Sequence, residues 1–192
     1  MRLVETALAS SVMNPAPNLV LVGPMGAGKS SIGKRLAERF GLAFADADRD
    51  IELRTGTTVS TIFDCEGEAG FRARERAALV ALLAGEGLLV ATGGGAVLDP
   101  DNRRLLHTRG FVVYLQVGVD GQLERLVRDR SRPLLQRDDR EDVLRQMAAQ
   151  REPLYAEVAD LCFDTNHLAT ADAASALAKQ LAERWQRGAV AA

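Results

Sequence analysis

The chain has 192 residues, 47% hydrophobic and 26% charged, with a formal net charge of −2, which suits one soluble domain whose core needs no disulfide or metal. Its arginines are spread along the chain, which argues against a nucleic-acid coat, and no apolar run approaches the length of a membrane span. Cys65 and Cys162 stand apart without a C-x-x-C, and His107 and His167 sit in no metal-ligand or triad-like pattern; this sets aside zinc and triad chemistry and fits a reducing, cytoplasmic setting.

Residues 1–17 hold an apolar patch from Leu3 to Val12 that Glu5 interrupts, with no A-x-A-like site behind it. They are expected to form a flexible extension rather than a signal peptide, leaving a single domain over residues 18–188. Leu19–Val22 reads as a short buried parallel strand. It runs into Gly23-Pro24-Met25-Gly26-Ala27-Gly28-Lys29-Ser30, which fits the phosphate-loop pattern G-x-x-x-x-G-K-[ST]. Ser31 to Phe40 then carries apolar residues at Ile32, Leu36, Ala37 and Phe40, a helical spacing.

Strand, loop and helix together make an anion cradle. Gly26 and Gly28 allow the backbone N–H groups to curl inward, and the helix beginning near Lys29 adds its positive end. Lys29 is then placed to reach the outer phosphates of a nucleotide, and the Ser30 hydroxyl to sit on the Mg²⁺ that bridges them.

Gly41 ends that helix, and Leu42–Ala45 is expected as a second strand delivering Asp46 and Asp48 to the crevice where parallel α/β folds bind ligands. One aspartate can equally cap the helix that follows, which runs to Thr55; the two roles are compatible. A short helix is expected from Thr58 to Cys65, and Gly67 starts a longer one carrying Arg72. Leu88–Thr92 reads as a third strand, ending in Gly93-Gly94-Gly95, where backbone in contact with a ligand is weighed against a plain flexible turn. Asp99-Pro100 supplies a cap and first-turn proline for the next helix, and Phe111–Leu115 a fourth strand.

Helix from Asp120 gives way to a mixed-charge stretch in which Arg132 precedes Pro133. The stretch around 125–140 suits a lid carrying an arginine to the phosphates. Val143–Ala159 is helical, with Pro153 expected to kink or break it. Leu161–Phe163 is a short fifth strand, and Thr170 is expected to cap a last helix whose stripe ends at Trp185, read as core. Alternating strands and helices with short connections predict one parallel sheet covered on both faces.

Phosphate-loop proteins divide into GTPase switches, motor ATPases and small-molecule kinases. The guanine-reading N-K-x-D is absent, and Asp64-Cys65-Glu66-Gly67 mimics D-x-x-G without a strand before it. The strand that would end in Asp-Glu in a motor ends instead in Thr92 and three glycines. A compact kinase remains.

Gly70-Phe71-Arg72-x-x-Glu75, Thr92-Gly93-Gly94-Gly95-Ala96, Arg132-Pro133-Leu134-Leu135 and Arg151-x-Pro153-Leu154-Tyr155 follow the phosphate loop and Asp46-x-Asp48 in order. In this ordered set, over roughly residues 18 to 185, the chain resembles the shikimate kinases, members of the nucleoside-monophosphate-kinase-like group. The resemblance implies a five-stranded parallel sheet in the order 2-3-1-4-5 with a lid. It also implies γ-phosphoryl transfer from ATP to the 3-hydroxyl of shikimate with Mg²⁺, by a cytoplasmic monomer in aromatic amino acid biosynthesis.

Residue by residue, the resemblance implies ATP contacts from Gly26, Ala27, Gly28, Lys29, Ser30 and Ser31, with Arg125 near the adenine and Arg132 as the lid arginine. Ser30 binds Mg²⁺ directly and Asp46 through water. Arg72 and Arg151 grip the shikimate carboxylate, Asp48 contacts its hydroxyls, and Gly93, Gly94 and Gly95 lie against the ring; Lys29, Asp48 and Arg132 are the expected catalytic set. Two arginines suit a carboxylate because each offers a bidentate, charge-assisted fork. Against this, Arg72 could serve only in a helix-face salt bridge to Glu75 or Glu68. Gluconate kinase and a non-catalytic relative of the fold are the competing readings.

Overall fold

The computed structural model describes residues 16–127 and 139–185; Arg132, the rest of the expected lid core and most of the N-terminal extension lie outside them. The element order is β1 (Asn18–Val22), α1 (Lys29–Phe40), β2 (Ala43–Asp46), α2 (Ala47–Thr55), α3 (Val59–Leu83), β3 (Leu88–Ala91), a 3₁₀ turn η1 (Ala96–Leu98), α4 (Pro100–Arg109), β4 (Gly110–Gln116), α5 (Val119–Leu126), α6 (Arg140–Val158), β5 (Leu161–Asp164) and α7 (Thr170–Arg184). The five strands form one parallel sheet in the order β2-β3-β1-β4-β5. Among the described residues no helix is long and apolar enough to cross a membrane.

Every residue of β1 is buried, because this central strand has helices over both faces. Its side chains alternate: Leu19 and Leu21 join Ile32, Leu36, Leu177, Leu181 and Trp185 under α1 and α7. Val20 and Val22 face the other way, with Leu79, Leu83, Leu106, Tyr114 and Tyr155 of α3, α4, β4 and α6. Burying each large side chain contributes about 1.5–3 kcal/mol, so the two layers hold the sheet from both sides. At the amino end of the strands the buried Asn18 amide donates to Gly85 O at 2.9 Å and Arg109 O at 3.1 Å, and accepts from Leu88 N at 3.0 Å. Trp185, 6% exposed, donates from Nε1 to Ala16 O at 2.9 Å and meets Phe40 edge-on at 5.7 Å.

The two helices expected around Gly67 are present within α3: they meet at a kink where Gly67 takes the non-helical φ 69° and ψ −174°. Pro153 does not break its helix: α6 runs through it. Pro153 and, in the turn before it, Ala149, Gln150 and Glu152 are exposed, so the Ala149 carbonyl left without an N–H partner can turn to water. Thr170 is not the cap of the last helix. Ala169 O takes the first helical bond, from Ala173 N at 2.9 Å, which makes Ala169 the cap and Thr170 the first helical residue. Asp99 caps α4 as expected, accepting from Asp101 N at 2.8 Å with Pro100 behind it. Both cysteines are free and exposed, and both histidines are exposed.

Candidate active site

The carboxyl ends of β1, β2 and β3 open onto one cleft. β1 hands over to the phosphate loop, and Gly28, at φ 89° and ψ 16°, caps α1 with backbone alone; a left-handed cap of this kind favours glycine. The first N–H groups of α1 therefore face the cleft rather than a capping side chain. Lys29 Nζ donates to Gly23 O at 2.7 Å and Pro24 O at 2.8 Å, which lays the cation along the rim of the loop. Ser30 Oγ donates to Asp46 Oδ2 at 2.5 Å, while Asp46 Oδ1 accepts from Arg49 N at 3.3 Å. Asp46 is thus both helix cap and cleft residue.

Gly26, Ala27, Gly28, Lys29, Ser30, Ser31, Asp46, Asp48, Gly94 and Arg125 line a single cavity of about 660 Å³. Arg125 closes one side: its guanidinium donates to Gly26 O at 2.9 Å, to Thr165 Oγ1 at 3.1 Å and to Thr165 O. Thr165 Oγ1 donates in turn to Gln116 O at 2.8 Å. One arginine so joins the phosphate loop to the turn after β5.

Beyond this cavity the triple glycine after β3 meets a buried ionic cluster. A Cβ on Gly93 would lie 2.6 Å from Glu75 Oε1 and 2.8 Å from Asp48 Oδ1, and one on Gly95 would lie 2.6 Å from Arg72 Cζ. These glycines are required by the approach of charged side chains, not by turn flexibility. Arg72 Nη1 donates to Glu75 Oε2 at 2.8 Å and Nη2 to Glu68 Oε1 at 3.1 Å. The salt bridges weighed against function are present, but one is no surface pair, since Glu75 is 0% exposed. Burial pushes Glu75 above its usual carboxylate range against the pull of Arg72 and Arg151, with Asp48 adding to the rise. Arg151 Nη1 reaches Gly94 O at 3.4 Å, and Tyr155 Oη donates to the same carbonyl. The Nε atoms of Arg72 and Arg151 are buried without a hydrogen-bond partner, two cationic donors left to be met by an anion.

A sequence profile of the family described as Shikimate kinase matches residues 25–182. Shikimate kinase of Stenotrophomonas maltophilia (strain R551-3) is 61% identical over 175 residues, 91% of this chain and 97% of that protein. The chain belongs to the shikimate kinase family. Shikimate kinase of Xanthomonas axonopodis pv. citri (strain 306) is 59% identical over 174 residues, with the same coverage of both chains. Among solved structures, shikimate kinase from Acinetobacter baumannii in complex with shikimate superimposes with a TM-score of 0.84 at 46% identity, covering 88% of this chain and 94% of that one. Shikimate kinase from Bacteroides thetaiotaomicron does so at 0.79 and 34% identity, covering 86% and 98%.

Of the residues that the shikimate kinase pattern singles out, Arg72, Gly93, Gly95 and Arg151 stand next to the cavity rather than in its lining, joined to it through Gly94 and Asp48. Arg132 lies outside the described residues. Thr165 and Tyr155 carry cleft contacts that the sequence reading left without a role, and Glu75, read only as a salt-bridge partner of Arg72, sits at the centre of the cluster. For Glu75 a signal existed: it lies four residues after Phe71 and four before Leu79, on the buried stripe of α3. A carboxylate there is out of place in a helix packed only for stability.

Proposed function

We propose that this chain transfers the γ-phosphoryl of ATP to the 3-hydroxyl of shikimate, giving shikimate 3-phosphate and ADP on the route to chorismate and the aromatic amino acids. The observation that carries the reading is the convergence of Arg72, Arg151, Asp48 and Glu75 on the triple glycine, beside a phosphate loop. Two guanidinium groups with buried donors to spare suit a carboxylate, and the neighbouring aspartate suits hydroxyls, so the acceptor is an anionic polyol. The names of the relatives and the shikimate complex of the Acinetobacter enzyme support shikimate as that polyol.

In this reading the N–H groups of Gly26 to Ser31 and the Lys29 ammonium hold the β- and γ-phosphates, and Arg125 borders the adenine side. Arg132 is assigned to the phosphates by resemblance. Arg72 and Arg151 hold the shikimate carboxylate, Gly93, Gly94 and Gly95 lie against its ring, and Asp48 orients the acceptor hydroxyls. Transfer through a loose transition state asks for alignment and charge neutralisation more than for a strong base, so positioning comes first for Asp48. Ser30 and Asp46 offer adjacent hard oxygens beside the phosphate cradle, a set that fits Mg²⁺ with phosphates and water completing its shell. When bound, Mg²⁺ neutralises charge on the transferring phosphates. The catalytic unit is assigned to residues 18–188, acting as a cytoplasmic monomer.

Coupled ADP release from Mg·ATP tests this, with shikimate, quinate or gluconate as acceptor and a control with none. Turnover on shikimate alone is expected. Preference for gluconate, equal turnover without acceptor, or no turnover despite nucleotide binding would each overturn the assignment.

A further inference from the structure

Tyr155 lies four residues after Arg151 on α6, one helical turn along the same face. Its ring is buried, 1% exposed, and leans on Tyr114 at 5.0 Å between centroids. Its hydroxyl donates to Gly94 O, the carbonyl that Arg151 Nη1 meets only at 3.4 Å. A carbonyl oxygen has two lone pairs and can take both donors, but 3.4 Å is a long bond and Tyr155 is the nearer partner. Burial pushes the phenol up to about 12, so it remains a donor across the range in which kinases work. Arg151 keeps its buried Nε without a protein partner.

We infer that Tyr155 is a positioning residue for the acceptor: by holding the Gly94 carbonyl it leaves the Arg151 guanidinium to the substrate carboxylate and fixes the loop against which the substrate lies. This rests on the reading of Arg151 as a carboxylate ligand. Without the hydroxyl, the half-buried Gly94 carbonyl would have Arg151 as its remaining protein donor, and an acceptor left short draws on a nearby cation. Each bond that Arg151 gives to Gly94 is then one withheld from the acceptor. The ring itself keeps its packing in Tyr155→Phe, so the effect belongs to the hydroxyl alone.

The test is a double-mutant cycle of Tyr155→Phe and Arg151→Ala on the full chain, reading KM for shikimate, KM for ATP, kcat and melting temperature. In the parent background Tyr155→Phe is expected to raise KM for shikimate about tenfold, with KM for ATP and kcat within about twofold. In the Arg151→Ala background the same change should move KM for shikimate by less than about twofold. An unchanged KM in the parent background, or the same factor in both, overturns the inference and leaves the proposed function standing. Absence of any shikimate-dependent ADP release by the parent protein overturns both.

Discussion

In the half of the cleft proposed to hold the phosphates, the cleft-facing groups are backbone N–H groups, one lysine and one serine from the eight consecutive residues Gly23–Ser30. In the acceptor half they are side chains from α2, α3 and α6 gathered around the loop after β3, with residues 48 and 155 at the extremes. The first half is made by local curl of the chain, and its cations lie at the rim of an open cavity. The second is made by tertiary packing, and its central carboxylate is sealed from water. Local geometry tolerates change elsewhere in the molecule; a packed ionic cluster transmits any displacement to all its members.

This contrast can be broken, and the largest effect should come from the phosphate half. If Lys29 holds the transferring phosphate as proposed, Lys29→Ala should lower kcat roughly 10²–10³-fold with the melting temperature unmoved. A drop in melting temperature as large as the loss of rate would instead make Lys29 a structural tie to Gly23 and Pro24.

Gly95→Ala sharpens the comparison. Its Cβ would meet the end of Arg72, a flexible side chain that can shift, so the protein should fold normally while KM for shikimate rises roughly 10- to 100-fold. Gly94→Ala meets no protein atom closer than 3.7 Å, so any rise in KM it brings comes from the ring it is proposed to touch and should be smaller than that of Gly95→Ala. Equal effects from the two would remove the special place given to Arg72.

Glu75 offers a pH test. Its folded pKa is raised above 4.5 by burial, so between 4.5 and the raised value the folded protein holds a proton that the unfolded chain has lost. Stability from this group is therefore highest at low pH and declines as pH rises through that window. Glu75→Gln should gain melting temperature relative to the parent as pH climbs from 4.5, about 2–4 °C for each 1 kcal/mol in a domain of this size. A difference that stays flat over that range would mean the carboxylate is no strained member of the cluster.

The smallest effect should follow removal of residues 1–15, which leaves Ala16 O for Trp185. Rate, both KM values and melting temperature should stay as they were. A loss of shikimate turnover would move the boundary of the catalytic unit upstream.

What could be read from the chain follows the same division. The phosphate loop, the strand before it and the sheet order were legible because glycine spacing and apolar alternation are local or carried by the family pattern. A cap and a cleft position could be read for the pair Asp46 and Asp48 without saying which of them caps; the structure gives the cap to Asp46, at the end of β2. Thr170 was taken for a cap on residue type, whereas Ala169 closes the first turn with its backbone. Pro153 was expected to kink or break α6; the helix runs through it, with Ala149, whose carbonyl loses its helical partner, exposed to water. The 3₁₀ turn at Ala96–Leu98 has no periodicity to announce it; Asn102 Nδ2 and Arg103 Nη1 hold it by bonds to Ala96 O at 3.0 Å and Val97 O at 2.8 Å. Tyr155 was named only as part of the Arg151-x-Pro153-Leu154-Tyr155 pattern and given no role, because the carbonyl it serves lies 61 residues earlier in the chain.

The bond from Trp185 Nε1 to Ala16 O has a topological consequence. The first and last described residues of the unit sit within one side chain of each other, so the polypeptide runs nearly as a closed circuit. A short linker could join them into a ring, and the ring could be reopened at an exposed turn such as that around Gly56 without disturbing a strand. By the same geometry the whole kinase could be carried as an insert in a loop of another protein, entering and leaving at one point on its surface.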